Sequence, residues 1–277
     1  MSLIADEAAI TVSDPPAPRP RPAIDLVLRN SSGRAEQARA SDMTAANPGI
    51  RAIVFDFGGV LITSIANQIG KIASTHGVEP QLMHEVLLGP RISSPSHPWH
   101  RAERGEIAVA DIQLLLQPWA TEVGFDLHGD EIDRVLAPGE YTVVNEMVDR
   151  VRSLRAAGYL TGLLTNTFAE FRPTMKRDID FELFDVVVES FAVGARKPEL
   201  AIYEATATTL GVPHHSILYL DDFDQNLVPP RQLGWTTIHV DDPLEAIGRL
   251  GVVLGLPPSS ESVHSSRDQF LSAIRPE

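Results

Sequence analysis

Four short stretches bring together carboxylate, hydroxyl, amide and amine side chains of the kinds that act on an anion. Asp56 follows the buried-type run Ile53-Val54-Phe55 and precedes Phe57-Gly58-Gly59-Val60-Leu61. A carboxylate exposed at a tight glycine turn, among backbone N–H groups that can surround an anion, can serve as a nucleophile. Taken alone, such an aspartate also fits a turn or a helix cap. Asp221-Asp222 closes a second apolar run. Carboxylates crowded at one rim repel one another unless a cation lies between them, and an all-oxygen ligand set points to Mg²⁺. Thr165-Asn166 supplies a hydroxyl and an amide, and Lys197 a positive charge, which together could hold an oxyanion such as phosphate. Singly these are turn or surface residues; a bland reading of all four must accept four coincidences. Lysine is informative here, because only Lys71, Lys176 and Lys197 occur beside 20 arginines.

The elements that would position these groups follow from short β-branched runs alternating with helical periodicity. Ile53-Val54-Phe55, Leu160 to Leu164, Val186-Val187-Val188, Ile217 to Leu220 and Thr236 to Val240 read as five strands, which with helices between them make a parallel sheet. Val144, Met147, Val148, Val151 and Leu154 share one helical face, closed by Gly158. Pro198 suits the first turn of a helix running through Ile202 and Tyr203 to Leu210, and Asn226 to Leu233 makes another. In open sheets of this kind the ligand site lies beyond the carboxyl ends of the strands, where Asp56, Thr165-Asn166 and Asp221-Asp222 fall.

Residues 63–142 are too long for a simple crossover and contain helical stretches at Asn67 to Thr75, Pro80 to Leu88 and Ala110 to Trp119. The segment reads as an inserted helical cap that shapes the site and excludes water. Trp99 suits an apolar part of a substrate, and Arg101 and Arg104 an anionic part, with packing and surface ion pairs as the alternative. The resulting plan is an α/β core over 50–62 and 143–255, the cap over 63–142, a proline- and alanine-rich disordered leader over 1–49 and a polar tail over 256–277.

Composition narrows the function further. The 277 residues carry a net charge of −14, which disfavours general attraction to nucleic acid or an anionic membrane. Cysteine is absent, so disulfides, thiolate nucleophiles and Cys-ligated zinc are excluded. Neither a membrane span nor a secretory signal is evident, and a cytoplasmic location is expected. Gly70-Lys71 is not a phosphate loop, because Ile65 and Ile72 stand where Gly and Ser or Thr are needed. No G-x-S-x-G elbow occurs. His97 and His100 flank Pro98-Trp99 in an expected loop without a third ligand, and His214-His215 reads as solvated.

Phe55-Asp56-Phe57-Gly58-Gly59-Val60-Leu61, Leu164-Thr165-Asn166-Thr167, Arg196-Lys197-Pro198-Glu199 with Ile202-Tyr203, and Tyr219-Leu220-Asp221-Asp222 with Asn226 and Leu233-Gly234 resemble, in order and spacing, the four motifs of the haloacid dehalogenase-like hydrolase superfamily. The resemblance spans about residues 50–255, and its nearest branch is the N-terminal phosphatase-like domain of soluble epoxide hydrolase, including the cap stretch Pro98 to Ile107. It implies a Rossmann-like core with a helical cap and a small-molecule phosphate ester as substrate. It further implies that Asp56 forms an aspartyl-phosphate, that Mg²⁺ sits on Asp56, the Gly58 carbonyl and Asp222 with Asp221 in support, that Thr165 and Asn166 hold phosphoryl oxygens, and that Lys197 neutralises Asp56 and the transferring group.

One position departs from the phosphatase pattern: Gly58 stands where a second Asp usually acts as general acid and base, a loss worth about 10²–10⁴ in rate. The superfamily's dehalogenases also lack that residue, but they need no Mg²⁺ and their fourth motif is less acidic than Asp221-Asp222. Dehalogenation of a 2-haloacid and non-catalytic binding of a phosphate ligand therefore stand as alternatives.

Overall fold

The computed structural model describes residues 49–90, 94–129, 131–135 and 141–256. The leader expected over 1–49 and the tail expected over 256–277 fall, save Gly49 and Leu256, outside the described residues. Five strands, β1 (Ala52–Phe55), β2 (Leu160–Thr165), β3 (Val186–Glu189), β4 (Ile217–Asp221) and β5 (Thr236–His239), form one sheet in the order β3-β2-β1-β4-β5. All four pairings are parallel. Every residue of β1, β2 and β4 is buried, as a parallel sheet covered on both faces requires.

Helices α1 (Ala66–His76), α2 (Pro80–Leu87), α3 (Pro98–Glu103), α4 (Val109–Glu122) and α5 (Glu131–Val135) lie between β1 and α6 (Asn145–Ala156). After β2 comes α7 (Arg172–Asp178), and α8 (Ser190–Val193) and α9 (Leu200–Leu210) link β3 to β4. The chain ends its core with α10 (Asp224–Gln232) before β5 and α11 (Pro243–Leu254) after it.

Strand alternation divides the core in two. Ile53, Phe55, Leu163, Leu218 and Leu220 pack with Met147, Val151 and Leu154 of α6 and Ala246 and Leu250 of α11. On the other face Ala52, Val54, Leu164 and Tyr219 meet Ile202, Tyr203 and Leu210 of α9 and Leu227 of α10. The helices that follow β1 form a third apolar cluster, in which Ile69, Met83, Leu87, Ile112 and Leu116 surround Trp99 and Phe168. Phe168 comes from the loop after β2 and meets the Trp99 ring edge to face at 4.9 Å, so that loop and the helices after β1 share the cluster. Among the described residues no helix is long and apolar enough to cross a membrane.

Three local expectations change. Pro198 does not start α9: the Lys197-Pro198 peptide is cis, the chain turns there, and the helix begins at Leu200. His97 to His100 is not a loop, because Pro98 occupies the first turn of α3 and Arg101 N–H donates to the His97 carbonyl at 3.0 Å. Both histidines are buried against Gly89, where a Cβ would fall 2.7 Å from His100 Nε2 and 2.8 Å from His97 Nδ1. His214 is half-buried and accepts a hydrogen bond from Trp235 Nε1 at 2.8 Å rather than facing solvent alone.

Candidate active site

The strand order reverses at β1, whose neighbours are β2 and β4, and the residues that follow these strands meet beyond their carboxyl ends. The Asp56 N–H donates to the Leu220 carbonyl at 3.0 Å, which sets the first carboxylate beside the Asp221-Asp222 pair. Lys197 lies between them, 1% exposed, with Nζ 2.8 Å from Asp56 Oδ1 and 2.7 Å from Asp221 Oδ2. Burial opposes its charge, but the carboxylates of Asp221 and Asp56 outweigh that penalty and hold its pKa above the ordinary lysine value.

The two adjacent aspartates have different surroundings. Asp221 is saturated by protein donors: Lys197 Nζ and the Tyr219 hydroxyl reach Oδ2, Phe223 N–H reaches Oδ1 at 2.8 Å, and Asn226 Nδ2 lies 3.0 and 3.2 Å from the two oxygens. Asp222 keeps a buried Oδ1 without a protein partner. An orphaned buried carboxylate oxygen is costly, and it fits a cation ligand. Asp56, Asp221 and Asp222 each present an oxygen within 4.8 Å of the others, and one lysine cannot balance three carboxylates. Gly58 lines the same cavity. The donor set is therefore oxygen-only and anionic, which fits Mg²⁺ on Asp56 and Asp222, while Asp221 is occupied in holding Lys197.

Burial pushes the Asp56 carboxyl up to about 7, with Lys197 opposing and Asp221 adding to the rise. Asp222 is raised well above the usual carboxylate range, again by burial first and then by Asp221 and Asp56. A divalent cation between Asp56 and Asp222 would oppose both shifts. On Asp56, the Lys197 ammonium and the Phe57 N–H, at 2.6 Å, both engage Oδ1.

Thr165, at the end of β2, is buried and lines the cavity; its hydroxyl makes only a long contact, 3.4 Å, to the Asn166 carbonyl. Asn166 is committed differently from the sequence expectation. Its Nδ2 donates to the Lys197 carbonyl at 3.0 Å and its Oδ1 accepts from Lys197 N–H at 2.8 Å. The amide thus clamps the Lys197 backbone, while the residue still borders the cavity.

Arg101 and Arg104 are not among the residues lining the cavity. Arg104 pairs with Glu106 at 2.6 Å and Glu199 at 3.1 Å, and Arg101 Nε lies 3.4 Å from Glu106. The arginine at the cavity is Arg196, to which the sequence reading gave no role. Its Nε donates to Glu103 Oε2 at 2.5 Å, Glu103 Oε1 accepts from Trp99 Nε1 at 2.9 Å, and Arg196 Nη1 is buried without a partner. This chain ties α3 to the residue before Lys197. Its only sequence signal is the position of Arg196 next to that lysine, since a pairing across 93 positions leaves no local pattern.

The cavity has a volume of about 180 Å³. Glu103, Arg196 and Asp222 line it with Asp56 and Lys197, and Ile65, Leu88, Trp99, Phe168, Phe171 and Met175 supply an apolar part of the wall.

A family model described as haloacid dehalogenase-like hydrolase matches residues 50–227. Bifunctional epoxide hydrolase 2 of Rattus norvegicus is 34% identical over 223 residues, covering 74% of this chain and 39% of that protein. A sesquiterpene phosphatase of Aspergillus oryzae is 27% identical over 208 residues, covering 74% of this chain and 97% of that protein. The chain spans only 19% to 39% of the larger curated relatives it matches first. Among solved structures, a haloacid dehalogenase family enzyme of Bacteroides thetaiotaomicron in complex with magnesium and inorganic phosphate superposes with a TM-score of 0.51 at 19% identity, covering 70% of this chain and 96% of that one. At that identity the likeness speaks for the fold.

Proposed function

The chain belongs to the haloacid dehalogenase-like hydrolases, and from that membership we propose that it is a Mg²⁺-dependent phosphatase that cleaves monoesters of apolar alcohols through an aspartyl-phosphate on Asp56. The observation that carries this reading is the division of labour at the strand ends: Lys197 is shared by Asp56 and Asp221, while Asp222 keeps an oxygen without a protein partner. Such a set of groups suits the transfer of a doubly charged phosphoryl group. The apolar part of the cavity wall supports an apolar alcohol, and so does a relative named as a sesquiterpene phosphatase.

Asp56 and Asp222, with the Gly58 carbonyl, would hold Mg²⁺, which when bound supplies positive charge against the transferring group. Lys197 and Phe57 N–H fix Oδ1 of Asp56, which leaves Oδ2 to attack phosphorus. The Oδ2–P bond forms as the bond from phosphorus to the alcohol oxygen breaks. Lys197 offsets charge on Asp56, and the Thr165 hydroxyl, on a residue that lines the cavity, would donate to a phosphoryl oxygen. With glycine at 58, the leaving alkoxide takes its proton from water. A second water then adds at phosphorus as the Oδ2–P bond breaks, which releases phosphate and restores the Asp56 carboxylate, and the proton this water gives up neutralises the hydroxide left by the first.

The test is phosphate release from p-nitrophenyl phosphate and from long-chain alkyl phosphates, with and without Mg²⁺, by the protein and its Asp56→Asn variant. Mg²⁺-dependent release lost in the variant is the expected result. Release equal in both would remove Asp56 from the chemistry, and chloride release from a 2-haloacid without Mg²⁺ would establish dehalogenation instead.

A further inference from the structure

A second group of metal-binding side chains lies in the cap, apart from Asp56 and its neighbours. Helix α1 ends at His76 and α5 begins at Glu131, with His128 in the segment before it. The Glu131 side chain is completely buried. His76 Nε2 lies 2.6 Å from Glu131 Oε1, and His128 Nδ1 lies 3.5 Å from the same oxygen. The other oxygen, Oε2, accepts from the His128 N–H at 2.8 Å.

A single imidazolium would be enough to balance a buried glutamate, so His76 alone accounts for an ion pair. The second imidazole needs another reason. Its backbone is fixed on both sides, the carbonyl accepting from Gln113 Nε2 and the N–H donating to Glu131. The two rings stack 4.8 Å apart at 36°, with Phe125 against His76 at 4.9 Å. One ligand atom from each of His76, His128 and Glu131 lies within 4.8 Å of the others.

We propose that His76, His128 and Glu131 form a second metal site, which takes Zn²⁺ or a similar imidazole-seeking divalent ion. Two nitrogens and one carboxylate oxygen are a ligand set for zinc rather than for Mg²⁺, which prefers oxygen alone. Tetrahedral bonds of about 2.0–2.1 Å place donors about 3.3 Å apart. The distances of 2.6 and 3.5 Å fall on either side of that spacing. The His76 side chain is 6% exposed and that of His128 is 61% exposed, so an ion can enter from the His128 side and keep a water as fourth ligand.

The site would join the end of α1 to the start of α5, whose last residue, Val135, lines the catalytic cavity. A bound ion would act as a clasp on the cap, separate from the chemistry at Asp56.

The test uses the full chain, stripped with a chelator and then held in excess Mg²⁺ so that the Asp56–Asp222 site is not competing. Zn²⁺ is titrated with calorimetric and thermal-melt readouts, and Co²⁺ is used as a visible probe of low-coordinate nitrogen ligation. The expected result is one-to-one uptake, a raised Tm, and a loss of at least about tenfold in affinity in His128→Ala, whose exposed side chain can be removed without opening the core. Asp222→Asn should bind Zn²⁺ as the parent does. No stoichiometric uptake, uptake unchanged in His128→Ala, or uptake lost in Asp222→Asn would overturn the proposal and leave an ion pair at these residues.

Discussion

Gly59 leaves room for Asp222. A Cβ built on Gly59 would lie 2.1 Å from Asp222 Oδ2 and 2.3 Å from its Cγ, so the turn after β1 and the carboxylate after β4 occupy one another's space. Gly59 also has φ of +69°, where an L side chain is strained by about 1–2 kcal/mol. The glycine of the first motif therefore acts on the residue of the fourth that we assign to the cation.

Gly59→Ala tests that assignment. The variant should melt below the parent and lose at least about tenfold in Mg²⁺ affinity as Asp222 is displaced. Gly58→Ala is the matched control, because a Cβ there meets nothing within 4 Å. Thermal melts and Mg²⁺ titrations of both variants check this. Unchanged Mg²⁺ affinity in Gly59→Ala would take Asp222 out of the ligand set.

The raised carboxyl of Asp56 gives a pH dependence with a definite sign. Burial pushes it up from the ordinary 3.8 to about 7, against the pull of Lys197. A carboxyl that holds its proton more tightly when folded favours the fold below its unfolded value, and that contribution is lost as pH rises through about 7. Mg²⁺ needs the carboxylate, so its affinity should run the other way. It should strengthen about tenfold per unit of rising pH up to about 7 and then level off as far as Asp56 is concerned. Asp222, also raised, would steepen the rise. Calorimetric titrations of Mg²⁺ from pH 5.5 to 8.5 would show this, and a flat profile would mean that Asp56 is ionised throughout.

The strands and the residues closing them were legible because the chemistry is local. Ile53-Val54-Phe55 and Ile217 to Leu220 are short apolar runs that stop at carboxylates, and a parallel sheet brings such stops to one edge. Residues whose partners lie far along the chain were not legible. Arg104 turns to Glu199, 95 positions away, rather than to the cavity, and Arg196 takes Glu103 across 93 positions. Asn166 looked like a phosphate donor by type, yet its amide holds the backbone of Lys197, 31 positions on. The helix of His97 to His100 was hidden because Pro98 marks a turn as readily as a helix start.

Gly58 gives the last prediction, because the site is open at the position where related phosphatases carry an acid. Nothing lies within 4 Å of a Cβ at 58, and its φ is not in the left-handed region, so a side chain can begin there without straining the turn. Gly58→Asp would add a carboxyl beside the leaving oxygen, and general acid catalysis is worth about 10²–10⁴ where the leaving group needs a proton. The gain should therefore depend on the ester. An alkyl phosphate, whose alkoxide is a poor leaving group, should turn over at least about tenfold faster in Gly58→Asp. p-Nitrophenyl phosphate leaves as a stable phenolate and should gain little. Comparing kcat for the two esters in the parent and in Gly58→Asp checks this. Equal gains on both would place the new carboxylate in cation binding, and no gain on the alkyl ester would mean that the parent already protonates its leaving group from another residue at the cavity.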